Sequence, residues 1–232
     1  MLLIIAIVTM LVSWLVGKRL KSKFAEYSQT PLRSNLSGKE VAEMMLKDHQ
    51  IYDVQVLSVE GQLTDHYDPT SRTVNLSHDV YYGQNAAATA VSAHECGHAV
   101  QHATAYNMLQ LRSKMVPMVN ISATVLQYMN LALLLGGGFI YGTGVFSSVV
   151  IQRIIAANLG LTLFSLVTLP VEFDASNRAL VWLDNKGIVT SKEHDMAKDA
   201  LKWAALTYVV AALGSLAQLM YWVMILMNRS DD

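Results

Sequence analysis

His94, Glu95 and His98 are the residues whose types and spacing can do chemistry together; they form an H-E-x-x-H pattern inside SAHECGHAVQH, Ser92 to His102. On an α-helix, positions i and i+4 lie about 40° apart around the axis and about one turn apart along it, so both imidazoles can reach one cation. Glu95 sits beside the first imidazole. From there it can touch a cation-bound water without ligating the cation, the arrangement of a zinc hydrolase that uses a carboxylate as general base. The flanks NAAATAVSA and AVQHATAY are rich in Ala and free of Pro, which predicts a helix from about Asn85 to about Met108.

Two neighbours compete for a role and lose it on geometry. Cys96, the only cysteine, points about 200° away from His94 and reads as a small buried filler; alone, it permits no internal disulfide. His102 lies about 12 Å beyond His94 along a straight helix, so those two cannot share an ion. The extended H-E-x-x-H-x-x-G-x-x-H pattern is also absent. His102 is therefore read as a structural residue or as one that supports a ligand.

The elements that must position this motif belong to a membrane protein. The chain has 232 residues, 53% of them hydrophobic and only 15% charged, and a net charge of −1 that argues against a nucleic-acid partner. Uncharged runs predict four transmembrane helices, at about 2 to 17, 115 to 135, 149 to 170 and 203 to 227, with a turn at Gly136-Gly137-Gly138. The first run reads as an uncleaved anchor, because the basic cluster Lys18, Arg19, Lys21 and Lys23 follows it rather than preceding it. Nearly all remaining Lys and Arg fall in 18–114 and 172–202, which places both segments on the cytoplasmic side. Arg153, near the outer end of the third span, reads as a residue that snorkels to the interface.

The expected organisation is thus an anchor at 1–17, a cytosolic part with the motif helix at 18–114, a transmembrane hairpin at 115–171, a cytosolic helical segment at 172–202 and a C-terminal transmembrane helix with its tail at 203–232. Within 18–114, Phe24 to Asn35 reads as a polar linker. Ser37 with Glu40 three residues on predicts a capped amphipathic helix over EVAEMMLKDH. IYDVQVLSV and RTVNL read as two short strands around the turn-rich loop GQLTDHYDPTS. In that loop Asp65 and Asp68 suit turn chemistry with Pro69, while His66 or Tyr67 is a candidate donor to the oxyanion of a tetrahedral intermediate. An exposed edge at Arg72 to Leu76 would hold an extended substrate by strand addition.

A catalytic zinc needs a third protein ligand. Glu172, in LPVEFDASNRAL, lies where the predicted topology returns to the motif's side, after Pro170, which suits a kink or a new helix start. On a helix Glu172, Ala175, Ser176 and Ala179 share a face, and small residues there allow close approach to the Ala-rich motif helix. Asp174 projects elsewhere, and His194 falls in SKEHD, which reads as a solvated helix start.

AHECGHAVQHA, preceded by GQLTDHYDP and NLSHDVYYG and followed by VEFDASNRALVWLDNKG, resembles the YugP-type family of bacterial membrane zinc metallopeptidases over nearly the whole chain. A wider resemblance is to the gluzincin proteases of the HtpX and CAAX-prenyl protease type. The resemblance implies a mainly α, integral membrane protein with a cytosolic mini-zincin (α+β) catalytic domain, facing the cytoplasm from a bacterial plasma membrane. It also implies one zinc ion on His94, His98 and Glu172, Glu95 as base, and a protein or peptide substrate. In the HtpX-like relatives an Asp four residues after the Glu ligand supports a zinc-bound His; here that position is Ser176, so Ser176 makes the contact, or Asp174 or another carboxylate replaces it. Two other readings stay open, a non-catalytic zinc-binding membrane scaffold and an intramembrane, site-2-type protease. An oligomer or an accessory membrane partner fits any of the three.

Overall fold

Asn85 starts the helix that carries the motif: its side chain accepts the Ala88 N–H at 2.9 Å, and Ala-rich sequence then propagates α4 (Ala86–Ala103). The helix stops five residues short of the expected Met108. Thr104 turns its hydroxyl onto the Val100 carbonyl, Ala105 takes a positive φ of 52°, and the Tyr106 N–H closes on the Gln101 carbonyl. This computed structural model describes the backbone of residues 1–142 and 148–229, and the side chains of all these except 130, 133–142, 148 and 229.

The chain is mainly helical with one small sheet. Before the motif come α1 (Leu2–Ser28), α2 (Gly38–Asp48), β1 (Gln55–Val59), β2 (His66–Asp68), β3 (Thr73–Ser77) and α3 (His78–Tyr81). After it come α5 (Asn107–Gly142), α6 (Ser148–Lys186) and α7 (Ser191–Arg229). Among the described residues, three helices are long and apolar enough to cross a membrane: Leu2–Ser28, Val149–Lys186 and Ser191–Asn228. The span expected at 115 to 135 falls on α5 and lies partly outside the described side chains.

Several expectations change. The supposed linker after residue 24 continues α1 to Ser28, where Tyr27 is buried and donates its hydroxyl to Asp199 at 2.6 Å. The turn expected at Gly136-Gly137-Gly138 is helix, because α5 runs on to Gly142. Glycine lowers helix propensity by about 1 kcal/mol per residue but permits helical φ and ψ, and the flanking LALLL and FIY, free of Pro, propagate the helix through it. Pro170 begins no new helix and lies inside α6. Glu193 is no solvated residue: buried, it accepts the Thr190 N–H at 2.6 Å and the Arg33 N–H at 2.7 Å, capping α7 and fixing the chain after α1. The Ser37–Glu40 capping box of α2 forms as expected.

The chain divides into two compact units, Met1–Trp14 with Leu111–Thr168 and Tyr208–Asp232, and Leu15–Gln110 with Leu169–Thr207. In the first, Leu126, Ile151, Ile154, Ala157 and Trp222 form a buried cluster. In the second, Val41, Met45, Val74, Leu76 and Val80 pack with Cys96, Ala99 and Val100 of α4 and with Ala179, Leu183 and Leu201. The motif helix is therefore sandwiched inside an α+β core.

The sheet order is β1-β3-β2, with β1 parallel to β3 and β2 antiparallel to it. The Arg72 to Leu76 stretch is thus no free edge, since β3 is paired on both sides. The turn-rich loop itself supplies one of the two edge strands, β2; the other is β1.

Ser92 Oγ is buried with no hydrogen-bond partner among the described residues. Such a hydroxyl costs about 1–3 kcal/mol, and Ala is the better helix former. Ser92→Ala is expected to raise the unfolding midpoint by the equivalent of about 1 kcal/mol in a denaturant melt. A lower midpoint would mean that the hydroxyl is satisfied.

Candidate metal centre

His94 and His98 stand one turn apart on α4, with ring centroids 4.8 Å apart and planes at 82°. Across from them α6 contributes Glu172, which is only 2% exposed. Small residues make that approach: Ala175 and Ala179 are fully buried, and a Cβ placed on Gly97 of α4 would lie 2.5 Å from the Ala175 carbonyl oxygen. The two backbones are in contact where the ligands meet.

Both imidazoles turn Nε2 towards the same carboxylate oxygen. His94 Nε2 is 3.4 Å and His98 Nε2 is 3.5 Å from Glu172 Oε2, and the ligand atoms of all three residues lie within 4.8 Å of one another. A tetrahedral centre with bonds of about 2.0–2.2 Å sets its ligands about 3.3–3.6 Å apart, so the two imidazole–carboxylate distances fit zinc. The donor set, two imidazoles and one carboxylate, fits it as well. Burial works against a protonated His98, but the Glu172 carboxylate beside it, with Glu95 and Gln101, more than offsets this and raises its pKa.

Both Nδ1 atoms are occupied. His94 Nδ1 is 3.1 Å from Ser176 Oγ, so Ser176 does make the contact considered for it, and His98 Nδ1 is 3.0 Å from Gln101 Oε1. Gln101 is the residue that sequence reading missed. The available signal was its position three residues beyond His98 on the same helix.

Glu95 is buried beside the cluster and outside the ligand set. Its Oε2 accepts the backbone N–H of Tyr67 at 3.1 Å, which ties β2 to the motif helix. Asp65 anchors the start of that strand by accepting the Ser77 N–H and hydroxyl, and burial pushes its carboxyl pKa up. Asp68 does the turn work expected of it, accepting from Thr70 N–H and Ser71 Oγ.

The two candidate oxyanion donors have other partners. His66 is exposed; its Nδ1 meets the Thr64 carbonyl at 2.7 Å, and Asn75 Nδ2 lies 3.2 Å from its Nε2. The Tyr67 hydroxyl is 2.7 Å from His102 Nδ1, on the face bordering Arg72 and Asp53. At Glu95 it is the Tyr67 backbone, not its ring, that donates. His102 lies outside the ligand cluster, as helix geometry required. Cys96 is fully buried with its Sγ 3.5 Å from the Ala42 carbonyl, and burial pushes the thiol pKa up, so it is neither ligand nor nucleophile.

The described residues thus combine a buried cluster of two histidines and one glutamate, a separate carboxylate beside it, and three helices long and apolar enough to cross a membrane. Residues 2–227 match the family described as "Putative neutral zinc metallopeptidase", and the chain belongs to that family. It is 42% identical over 217 residues, 92% of this chain and 91% of the relative, to the "Putative membrane protease YugP" of Bacillus subtilis (strain 168). No solved structure matches.

Proposed function

We propose that the chain is a zinc-dependent endopeptidase of the bacterial plasma membrane that hydrolyses peptide bonds at the cytosolic face. The observation that carries this reading is the convergence of His94 Nε2, His98 Nε2 and Glu172 Oε2, with Glu95 held beside them by the Tyr67 N–H. Zinc bound there supplies a Lewis acid that acidifies water and polarises a peptide carbonyl.

The chain's own residues do the rest. Tyr67 N–H holds Oε2 of Glu95, which leaves Oε1 to take a proton from the attacking water and pass it to the departing amine. β2 is the sheet edge next to Glu95, so an extended substrate added to it would carry its scissile bond past the carboxylate. Orientation rests on the Lys and Arg of 18–114 and 172–202, the segments that supply all four site residues. The intramembrane alternative is disfavoured because α4 is not among the helices that, of the described residues, are long and apolar enough to span.

The test is metal analysis and proteolysis on the purified chain in detergent. Expected are stoichiometric zinc, hydrolysis of an unstructured protein such as casein that chelation stops and zinc restores, and loss of zinc in Glu172→Ala. Hydrolysis that survives metal stripping, or a wild type that binds no zinc, would sink the reading. Bound zinc without turnover of any peptide would favour the scaffold.

A further inference from the structure

We propose that Gln101 is the positioning residue that locks His98 into its metal-ligating tautomer, and that Asp174 of α6 acts through it; this rests on the zinc reading above. Gln101 is fully buried in the middle of α4. Its Nε2 lies 2.7 Å from the Val171 carbonyl and 2.8 Å from Asp174 Oδ2. The Val171 carbonyl can only accept, and an amide has two hydrogens on nitrogen and none on oxygen. The amide can therefore face only one way.

That direction turns Oε1 to His98 Nδ1, at 3.0 Å. An acceptor at Nδ1 requires a hydrogen there, which leaves the lone pair of a neutral ring on Nε2, the atom turned to Glu172. Arg178 Nε donates to the same Asp174 oxygen and steadies the far end of the relay. One helix thus brings the ligand Glu172 and, two residues on, the carboxylate that orients the amide serving a second ligand.

His94 differs. Its Nδ1 partner is the Ser176 hydroxyl, which can donate or accept and so imposes no tautomer.

Zinc affinity, read by competition with a chromogenic chelator on the purified full-length chain in detergent, tests this. Gln101→Leu is expected to weaken zinc about 10- to 100-fold. Gln101→Glu should weaken it too, since the new carboxylate faces Asp174. Asp174→Ala, which removes an acceptor from Gln101 without touching a ligand, should weaken it by a smaller factor, and Asp174→Asn, whose amide oxygen can accept from both Gln101 Nε2 and Arg178 Nε, should keep most of the wild-type affinity.

A merely structural role would lower the melting temperature of the metal-free protein without this pattern of loss and recovery. Wild-type affinity in Gln101→Leu, or an Asp174→Asn variant no tighter than Asp174→Ala, would overturn the proposal while leaving the zinc reading intact. Absence of zinc from the wild type would overturn both, which distinguishes the two failures. If Gln101→Leu does not fold, the comparison of Asp174→Ala with Asp174→Asn decides.

Discussion

Glu95→Gln is expected to slow peptide hydrolysis by about 10²- to 10⁴-fold while zinc stays bound. Both halves of that result follow from the position of the carboxylate. It is no member of the cluster formed by His94, His98 and Glu172, so an amide there removes no ligand. Glutamine is close in shape and keeps an oxygen to accept the Tyr67 N–H, so the tie between β2 and α4 survives. What is lost is the ability to carry a proton from water to amine. Single-turnover rates with zinc content measured on the same sample check it. A wild-type rate would remove Glu95 from the chemistry, and a loss of zinc would make it a ligand.

The parts of this site that were legible in sequence are those fixed by helical periodicity. Spacing put His94 and His98 on one face and turned Cys96 away, and the small residues Ala175, Ser176 and Ala179 one to two turns past Glu172 marked a face able to approach another backbone. The illegible parts depend on partners distant in sequence. A glutamine on a polar helix looks the same whether it meets solvent or, like Gln101, grips residues 70 and 73 positions away. β2 is three residues long, too short for alternation to register, and its pairing made the expected edge at Arg72 to Leu76 the centre of the sheet. Three consecutive glycines read as a turn because local propensity alone disfavours a helix there, and α5 passes through them.

Gly97→Ala is the sharper probe of how the site is assembled, because two effects of opposite sign compete. Alanine favours a helix interior over glycine by about 1 kcal/mol, and Gly97 lies in mid-helix. Its new Cβ, however, would stand 2.5 Å from the Ala175 carbonyl oxygen and 3.1 Å from Ala175 C and Cα, and backbone has no rotamer by which to move aside. One helix must shift by at least about half an ångström, and overpacking of this kind costs about 1–3 kcal/mol. The clash therefore wins, and the variant is expected to melt below wild type. Because Ala175 follows Glu172 by three residues, the same shift carries the carboxylate away from both imidazoles. Activity should fall by about 10²-fold, the scale of an ångström-sized misplacement in a preorganised site. Ala175→Gly should not rescue it, since the contact is with backbone. Gly17→Ala serves as the control: nothing lies within 4 Å of that Cβ, so propensity acts alone and stability should hold or rise. If Gly97→Ala behaves like Gly17→Ala and keeps its zinc, α4 and α6 do not meet at Gly97, and a ligand set that depends on their contact is wrong.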